Sequence, residues 1–334
     1  MLPITSVAIL GAGALGTALA KLLAPKLESV LLVSIEEECV AGINRDQRNP
    51  RYLTNIQLAP NVRATMDHGE AIHMPLVIFA VPTSAVRSEA GKLKSLNLPA
   101  TTPLLSCTKG IERNSGERMS QILREVFPAN PIGILTGPNH AEEIAADLVT
   151  CAVVASESPE LAMQLQELFT LPHFRVYTSQ DVPGIELGGA VKNVYALAAG
   201  MAHGLGLGDN AVAALVTRAL AEMTRIGVAL GGCRETFAGL SGVGDLIVTC
   251  FSEHSRNHSV GFALGSGKTL EEAVNSISMV AEGVPNTLSI HEAARKAGVR
   301  TPILDGVYSV LYEGKSASDA MRELLDRDPC PENS

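Results

Sequence analysis

No stretch of the 334-residue chain reaches the roughly 18 uninterrupted apolar residues that a membrane-spanning helix needs, because Gly, Lys, His or Asp interrupts each long apolar region. Membrane insertion is therefore not expected. The N-terminal MLPITSVAILGAG has no basic lead and no small-residue cleavage pattern, so it reads as a strand and not as a secretion signal. Cys39, Cys107, Cys151, Cys233, Cys250 and Cys330 lie far apart, with no C-x-x-C pair and no histidine spacing suited to zinc. A reduced, cytoplasmic protein without a structural metal is the expectation. A basic excess is also missing: 26 Lys and Arg against 35 Asp and Glu leave a formal net charge of −9, which argues against a general affinity for nucleic acid or anionic membrane. There is no tandem repeat, and only the polar tail Asp328 to Ser334 reads as loose.

What the chain does have is core material, with 46% hydrophobic residues and a length that favours two domains. Up to about residue 180, β-branched runs at Ser6 to Leu10, Val30 to Val33, Leu76 to Val81, Pro103 to Cys107, Ile132 to Leu135, Thr150 to Val154 and Phe174 to Tyr177 read as strands. Helical patterns lie between them at Leu15 to Leu23, Thr83 to Leu93, Glu117 to Val126 and Pro159 to Phe169. That alternation implies parallel pairing with helical crossovers, an α/β doubly wound sheet. After Asp181-Val182-Pro183-Gly184 the strand runs fade. Helices are expected at Gly188 to Ala202, Asn210 to Leu230, Arg234 to Phe237, Ser255 to Leu264, Thr269 to Ser276, Val284 to Ala297, Pro302 to Tyr312 and Ser316 to Leu325. Residues 1–180 thus read as a Rossmann-type dinucleotide-binding domain and 181–334 as an all-helical substrate-binding domain.

Gly11-Ala12-Gly13-Ala14-Leu15-Gly16 follows the first strand and opens the first helix. Gly11 permits the turn, Gly13 lets backbone approach a pyrophosphate, and Gly16 lets helix and strand pack closely, while the helix start offers free N–H groups. Glu36, 20 residues after Gly16, stands where an acidic side chain binds the adenosine ribose hydroxyl, which favours NAD. The competing reading makes Glu36, Glu37 and Glu38 a charged first helical turn. No arginine sits in Ser34-Ile35-Glu36, yet Arg45, Arg48 and Arg51 are near enough to reach a 2′-phosphate, so NAD or NADP stays open. Two other glycine clusters are decoys. Gly204 to Gly208 has no strand before it and reads as an inter-helix turn with Asp209 capping the next helix. Gly265-Ser266-Gly267-Lys268-Thr269 resembles a P-loop end but has Phe262 in place of the leading glycine.

In the second half, charges sit among small apolar residues. Lys192 lies in Leu187-Gly188-Gly189-Ala190-Val191-Lys192-Asn193-Val194, where a desolvated lysine exchanges a proton near neutrality, although a lysine snorkelling from its helix is the plain alternative. Asp245 in Gly242-Val243-Gly244-Asp245 is similarly out of place, and a helix cap explains it only in part. Ser255-Arg256-Asn257 offers a guanidinium and helix N–H groups, a phosphate clamp or merely a cap. Lys109 follows one strand, and Gly137 and Asn139 follow the next, at the carboxyl edge where such sheets bind ligands.

Taken together, Gly11 to Ala20, Cys107 to Glu112, Gly137 to Glu142, Glu186 to Asn193, Gly239 to Thr249, Ser255 to Asn257 and Ala281 to Gly283 resemble the bacterial soluble NAD(P)-dependent glycerol-3-phosphate dehydrogenases over nearly the whole chain. The resemblance implies reversible reduction of dihydroxyacetone phosphate to sn-glycerol 3-phosphate, a phospholipid precursor. It makes Lys192 the proton-transfer residue, surrounds the substrate with Lys109, Asn193, Asp245, Thr249, Arg256 and Asn257, and lines the cofactor with Ala14, Leu15, Ala141, Val280 and Glu282. Lys109 and Arg256 are placed against the cofactor as well, and the assembly expected is a homodimer. The chain departs from the family pattern at Ala14-Leu15, at Asn139-His140, and at Ile35, where a basic residue often helps with NADP. A two-domain hydroxyacid dehydrogenase and a non-catalytic dinucleotide sensor are the rival readings; neither accounts for the Ser255 to Asn257 block and Lys192 together.

Overall fold

The computed structural model describes residues 3–277, 280–328 and 331–332; Cys330 and parts of the C-terminal tail lie outside the described residues. Its first half is one sheet of β1 (Ser6–Leu10), β2 (Ser29–Val33), β3 (Val62–Thr65), β4 (Val77–Phe79), β5 (Leu104–Ser106), β6 (Ile132–Thr136), β7 (Thr150–Ser156) and β8 (Phe174–Ser179). The order across the sheet is β3-β2-β1-β4-β5-β6-β7-β8. The chain moves one way from β1 to β3 and then the other way from β4 onward. The crevice between β1 and β4 is therefore a topological switch point, where open α/β sheets bind ligands. Apolar side chains cover both sheet faces: α1 (Ala14–Leu23), α2 (Glu37–Asp46), α5 (Ala141–Ala145) and α6 (Pro159–Phe169) bury one, and α3 (Val86–Ser95) with α4 (Met119–Val126) the other.

The sheet is not parallel throughout, as the strand and helix rhythm implied. β6 and β7 pair antiparallel, with Leu135 opposite Val154. A parallel return requires a crossover that climbs the full height of the sheet. Between them residues 137–149 hold one short helix, the five-residue α5, which stays at the carboxyl edge. From α5, at the carboxyl edge, the chain enters β7 and runs back down the sheet beside β6. β3 has no counterpart in the sequence reading, because it is a four-residue edge strand with Arg63 facing outward.

The helical half is built on α7 (Val182–Gly204), which is 23 residues long and buried on all sides from Gly184 to Ala202. It begins six residues before the expected Gly188. Asp181 accepts a hydrogen bond from the Gly184 N–H, and Pro183 sits in the first turn, where its missing N–H costs nothing. Pro183 and Gly184, at the boundary where the strand runs fade, therefore start a helix. Around α7 lie α8 (Asp209–Ala229), α9 (Asp245–Phe251), α10 (Arg256–Gly265), α11 (Leu270–Asn275), α12 (Gly283–Lys296), α13 (Pro302–Tyr312) and α14 (Ala317–Leu325). Asp209 does not cap α8: Gly208 occupies the cap and Asp209 is the first helical residue. α9 was not foreseen, since the glycine-rich Leu240–Gly244 before it forms a π-helical turn.

α7 and α10 touch backbone to backbone. A methyl group at Gly200 would collide with the His258 carbonyl, one at Gly261 with the Leu197 carbonyl, and one at Gly265 with the Met201 carbonyl. Gly265, read as a P-loop decoy, is thus a helix contact. Gly261→Val is expected to destabilise the protein by about 2 kcal/mol or more, because neither backbone can retreat. Gly91→Ala, on the exposed face of α3 with open space around it, is expected to stabilise it by about 0.5–1 kcal/mol. Urea unfolding midpoints check both.

Candidate active site

The loop after β1 has the geometry that its glycines require. Gly11 has φ +102°, and a Cβ there would meet the Ala80 carbonyl oxygen at 2.7 Å. A Cβ on Gly16 would strike the carbonyl of Gly11. Around Gly13, in contrast, nothing lies within 4 Å of a Cβ, so the space beside the helix start is open. Gly13 caps α1 without a side-chain bond, and the first turn carries no acidic residue, so its N–H groups and partial positive charge face outward. This cradle fits the pyrophosphate of a dinucleotide. Ala14 and Leu15 form its helical wall. Sequence reasoning missed its brace, Asn49, whose amide donates to the Ala12 carbonyl at 2.7 Å and to Thr17 Oγ1 at 2.9 Å. Only its side chain's place in the fold identifies it.

Lys109, at the carboxyl end of β5, meets residues 136 positions away. Its Nζ donates to the Gly137 carbonyl at 2.8 Å, Asn139 Oδ1 at 2.7 Å and Asp245 Oδ2 at 2.8 Å. Lys192, in α7, donates to Asp245 Oδ1 at 2.6 Å and to Thr249 Oγ1 at 2.6 Å. The Thr249 hydroxyl in turn donates to the Asp245 backbone carbonyl at 2.6 Å, one turn back in α9. An ammonium has three donors. Among the described residues, Lys109 finds acceptors for all three and Lys192 for two.

The electrostatics follow from burial. The Lys192 ammonium is brought down to about 8, by desolvation first and by Lys109 as well, against the upward pull of Asp245. For Asp245, burial works to raise the carboxyl, but Lys109 and Lys192 outweigh it and hold it below its ordinary value. The snorkelling alternative for Lys192 does not hold, because its side chain is 5% exposed. His140 is brought down to about 4 by burial first and by Lys192 and Lys109 next, so its ring is neutral at pH 7.

Asn193 and Asn257 spend part of their amides on each other, with Asn257 Nδ2 donating to Asn193 Oδ1 at 2.9 Å and Asn257 Oδ1 accepting from the Gly283 N–H at 2.8 Å. Together they join α7, α10 and α12. Ser255 caps α10, its hydroxyl accepting from the His258 N–H. Arg256, the first residue of α10, donates from Nη1 to the Val280 carbonyl at 3.1 Å. Glu282 accepts from the Thr83 N–H at 3.0 Å, in the turn after β4. Asn286, also missed from sequence, donates to the Lys109 carbonyl at 3.2 Å. These bonds fasten the start of α12 to the carboxyl edge of the sheet, near Ala141 at the head of α5. Glu36 stands at the end of β2, its carboxylate accepting from Arg51, Tyr52 and Cys39, while Arg45 pairs with Asp46 and Arg48 with Gln57.

A dinucleotide cradle and a buried lysine–carboxylate–lysine array thus meet at one sheet edge. Residues 6–162 match the N-terminal family model of NAD-dependent glycerol-3-phosphate dehydrogenase, and residues 181–322 match its C-terminal model. The chain belongs to this family. It is 46% identical to glycerol-3-phosphate dehydrogenase [NAD(P)+] of Moorella thermoacetica, over 96% of each chain. With the enzyme of that name from Clostridium tetani it shares 43% identity, over 97% of this chain and 93% of the other. The crystal structure of glycerol-3-phosphate dehydrogenase from Coxiella burnetii superposes with TM-score 0.93 at 36% identity, covering 97% of this chain and 99% of that one. The family is NAD(P)-dependent, and the cradle has the form such a dinucleotide needs. Gly13→Val is expected to leave the melting temperature within a few degrees, since the space is open, and to weaken NADH binding by roughly tenfold or more through a clash with the pyrophosphate. Fluorescence titration and thermal melts, run together, separate the two effects.

Proposed function

We propose that this chain reversibly reduces dihydroxyacetone phosphate to sn-glycerol 3-phosphate and so supplies glycerophospholipid synthesis. The observation that carries the reading is the one donor of Lys192 left without an acceptor among the described residues, beside an Asp245 that holds one ammonium on each oxygen. The bound nicotinamide supplies the hydride. As the carbonyl carbon is reduced, charge grows on its oxygen, and Lys192 hands that oxygen a proton, becoming a neutral amine that solvent reprotonates. Lys109 gives electrostatic help and, through Gly137 and Asn139, fixes the floor of the site. Asp245 and Thr249 hold the Lys192 amine in place. Arg256 clamps the substrate phosphate, with Ser255 and Asn257 setting the start of its helix and Asn193 beside it. Gly11, Gly13, Ala14, Leu15, Gly16, Glu36, Ala141, Val280 and Glu282 line the cofactor side in this reading, with Lys109 and Arg256 shared between both ligands. Residues 1–180 form the dinucleotide domain and 181–334 the substrate domain. A cytoplasmic homodimer completes the proposal. Its direct test is the oxidation of NADH and of NADPH, separately, by dihydroxyacetone phosphate; no oxidation of either sinks it.

Reduction needs Lys192 as the ammonium, and oxidation needs the amine. With that group near 8, kcat/KM for ketone reduction is expected to fall roughly tenfold per pH unit above it, while that for alcohol oxidation rises up to it and levels off. Lys192→Ala is expected to lower turnover by about 100-fold or more with NADH binding near normal. Near-wild-type turnover would remove Lys192 from this role.

A guanidinium gives two charge-assisted bonds to one phosphate in a fixed fork, which an ammonium cannot copy. Arg256→Lys is therefore expected to raise KM for dihydroxyacetone phosphate and Arg256→Ala to raise it more, with kcat falling too, since the clamp also orients the carbonyl. Unchanged steady-state parameters in Arg256→Ala would leave the phosphate without its anchor.

A further inference from the structure

Glu36 Oε1 accepts from Arg51 Nη1 at 2.7 Å and from the Tyr52 hydroxyl at 3.0 Å, and Glu36 Oε2 accepts from the Cys39 thiol at 3.2 Å. The Arg51 guanidinium also lies over the Tyr52 ring, 5.7 Å from its centroid. Its position is set by Asn49, whose Oδ1 accepts from the backbone N–H groups of Arg51 at 3.0 Å and Tyr52 at 3.1 Å. The same asparagine braces the glycine loop through Ala12 and Thr17. One buried side chain thus locks the phosphate cradle and Arg51 into a common frame. Ile35, 78% exposed, offers no charge at the end of β2.

We propose that Arg51, delivered from the segment after α2, is the residue that lets this site take a dinucleotide carrying a 2′-phosphate, while Glu36 serves the unphosphorylated ribose. The inference rests on the proposed reading of this edge as the cofactor site and goes beyond it by naming the discriminating side chain. Arg51 commits only Nη1 to Glu36, and its side chain is 56% exposed. A guanidinium has five donors, so the others remain for phosphate oxygens on the outer side. For the unphosphorylated ribose, Oε2 of Glu36 holds only a weak thiol donor and retains room for a ribose hydroxyl. A lone Glu36 would repel a 2′-phosphate. Paired with Arg51, it anchors the cation that attracts one.

The test is equilibrium binding of NADPH, NADH and the fragment 2′,5′-ADP, by fluorescence and competition, in the wild type, Arg51→Leu, Arg51→Lys and Arg51→Gln. Arg51→Leu is expected to weaken NADPH and 2′,5′-ADP by about 10- to 100-fold, the range of charge-assisted bonds, with NADH changed less than about threefold. Arg51→Lys should recover part of the loss. Wild-type NADPH binding should also weaken with added salt more steeply than that of Arg51→Leu. Equal weakening of NADPH and NADH would make Arg51 a structural brace and overturn the proposal, as would no change in either. Arg51→Gln, which keeps a polar side chain but removes the charge, decides the matter if the leucine variant unfolds: NADPH binding and its salt dependence unchanged from wild type would overturn the proposal. If binding shifts as expected but dihydroxyacetone phosphate is not turned over with either cofactor, Arg51 keeps its assignment and the proposed reaction falls.

Discussion

The Asp245 carboxylate, buried between the ammonium groups of Lys109 and Lys192, is the interaction on which the site depends. It brings together the loop after β5, the centre of α7 and the first turn of α9, none of which is adjacent in sequence. Taking three charges out of water is costly, and removing one partner from such a cluster typically costs about 3–5 kcal/mol by leaving a buried charge uncompensated. The geometry meets this cost with one lysine on each carboxylate oxygen and with neutral acceptors, Gly137, Asn139 and Thr249, on three of the other ammonium hydrogens. Two cations and one anion leave an excess of one positive charge. That excess, in surroundings shielded from water, is suited to an oxygen gaining negative charge.

Holding this array requires that α7 not shift, and its sequence secures it in three ways. Small residues let α10 approach at backbone contact, which sets Asn257 against Asn193, one residue from Lys192. Near its start Glu186 accepts from Ser120 and Arg118, tying α7 to α4 under the sheet. Beyond Lys192, the Tyr195 hydroxyl donates to Glu222, whose carboxylate also accepts the Ile303 and Leu304 N–H groups at the head of α13. Burial raises the Glu222 carboxyl to about 7 against the pull of those N–H groups. Each tie reaches a different layer of the protein, so rotation of α7 in any direction breaks a buried polar bond.

Between the two halves, specific polar bonds complement the apolar packing. Glu282 on the Thr83 N–H and Asn286 on the Lys109 carbonyl place the end of the Val280 segment against the sheet edge. A buried carboxylate at a backbone N–H sets distance and angle more narrowly than an apolar contact does. This narrowness matters where a reactive carbon must meet a hydride donor, because small misplacements there are costly in rate.

Local chemistry determined what was legible in the chain. Gly11, Gly13 and Gly16 declare their loop because only glycine tolerates its turn and close approaches, and Lys192 declares itself by being a charge among Gly188, Gly189, Ala190 and Val191. The strands between β1 and β8 were readable wherever they were buried and β-branched. The edge strand β3 was not, since Arg63 breaks its pattern, and β7 gave no sign that it runs backwards, because pairing direction follows from where the connection packs and not from the strand's own residues. Tertiary structure alone decided which polar groups are already spent. Nothing local distinguishes the three committed donors of Lys109 from the two of Lys192, or reveals that Asn49 braces the glycine loop and that Arg51 sits on Glu36. Those facts depend on contacts between residues from 15 to 136 positions apart, where the packing of whole elements, and not local propensity, determines who meets whom.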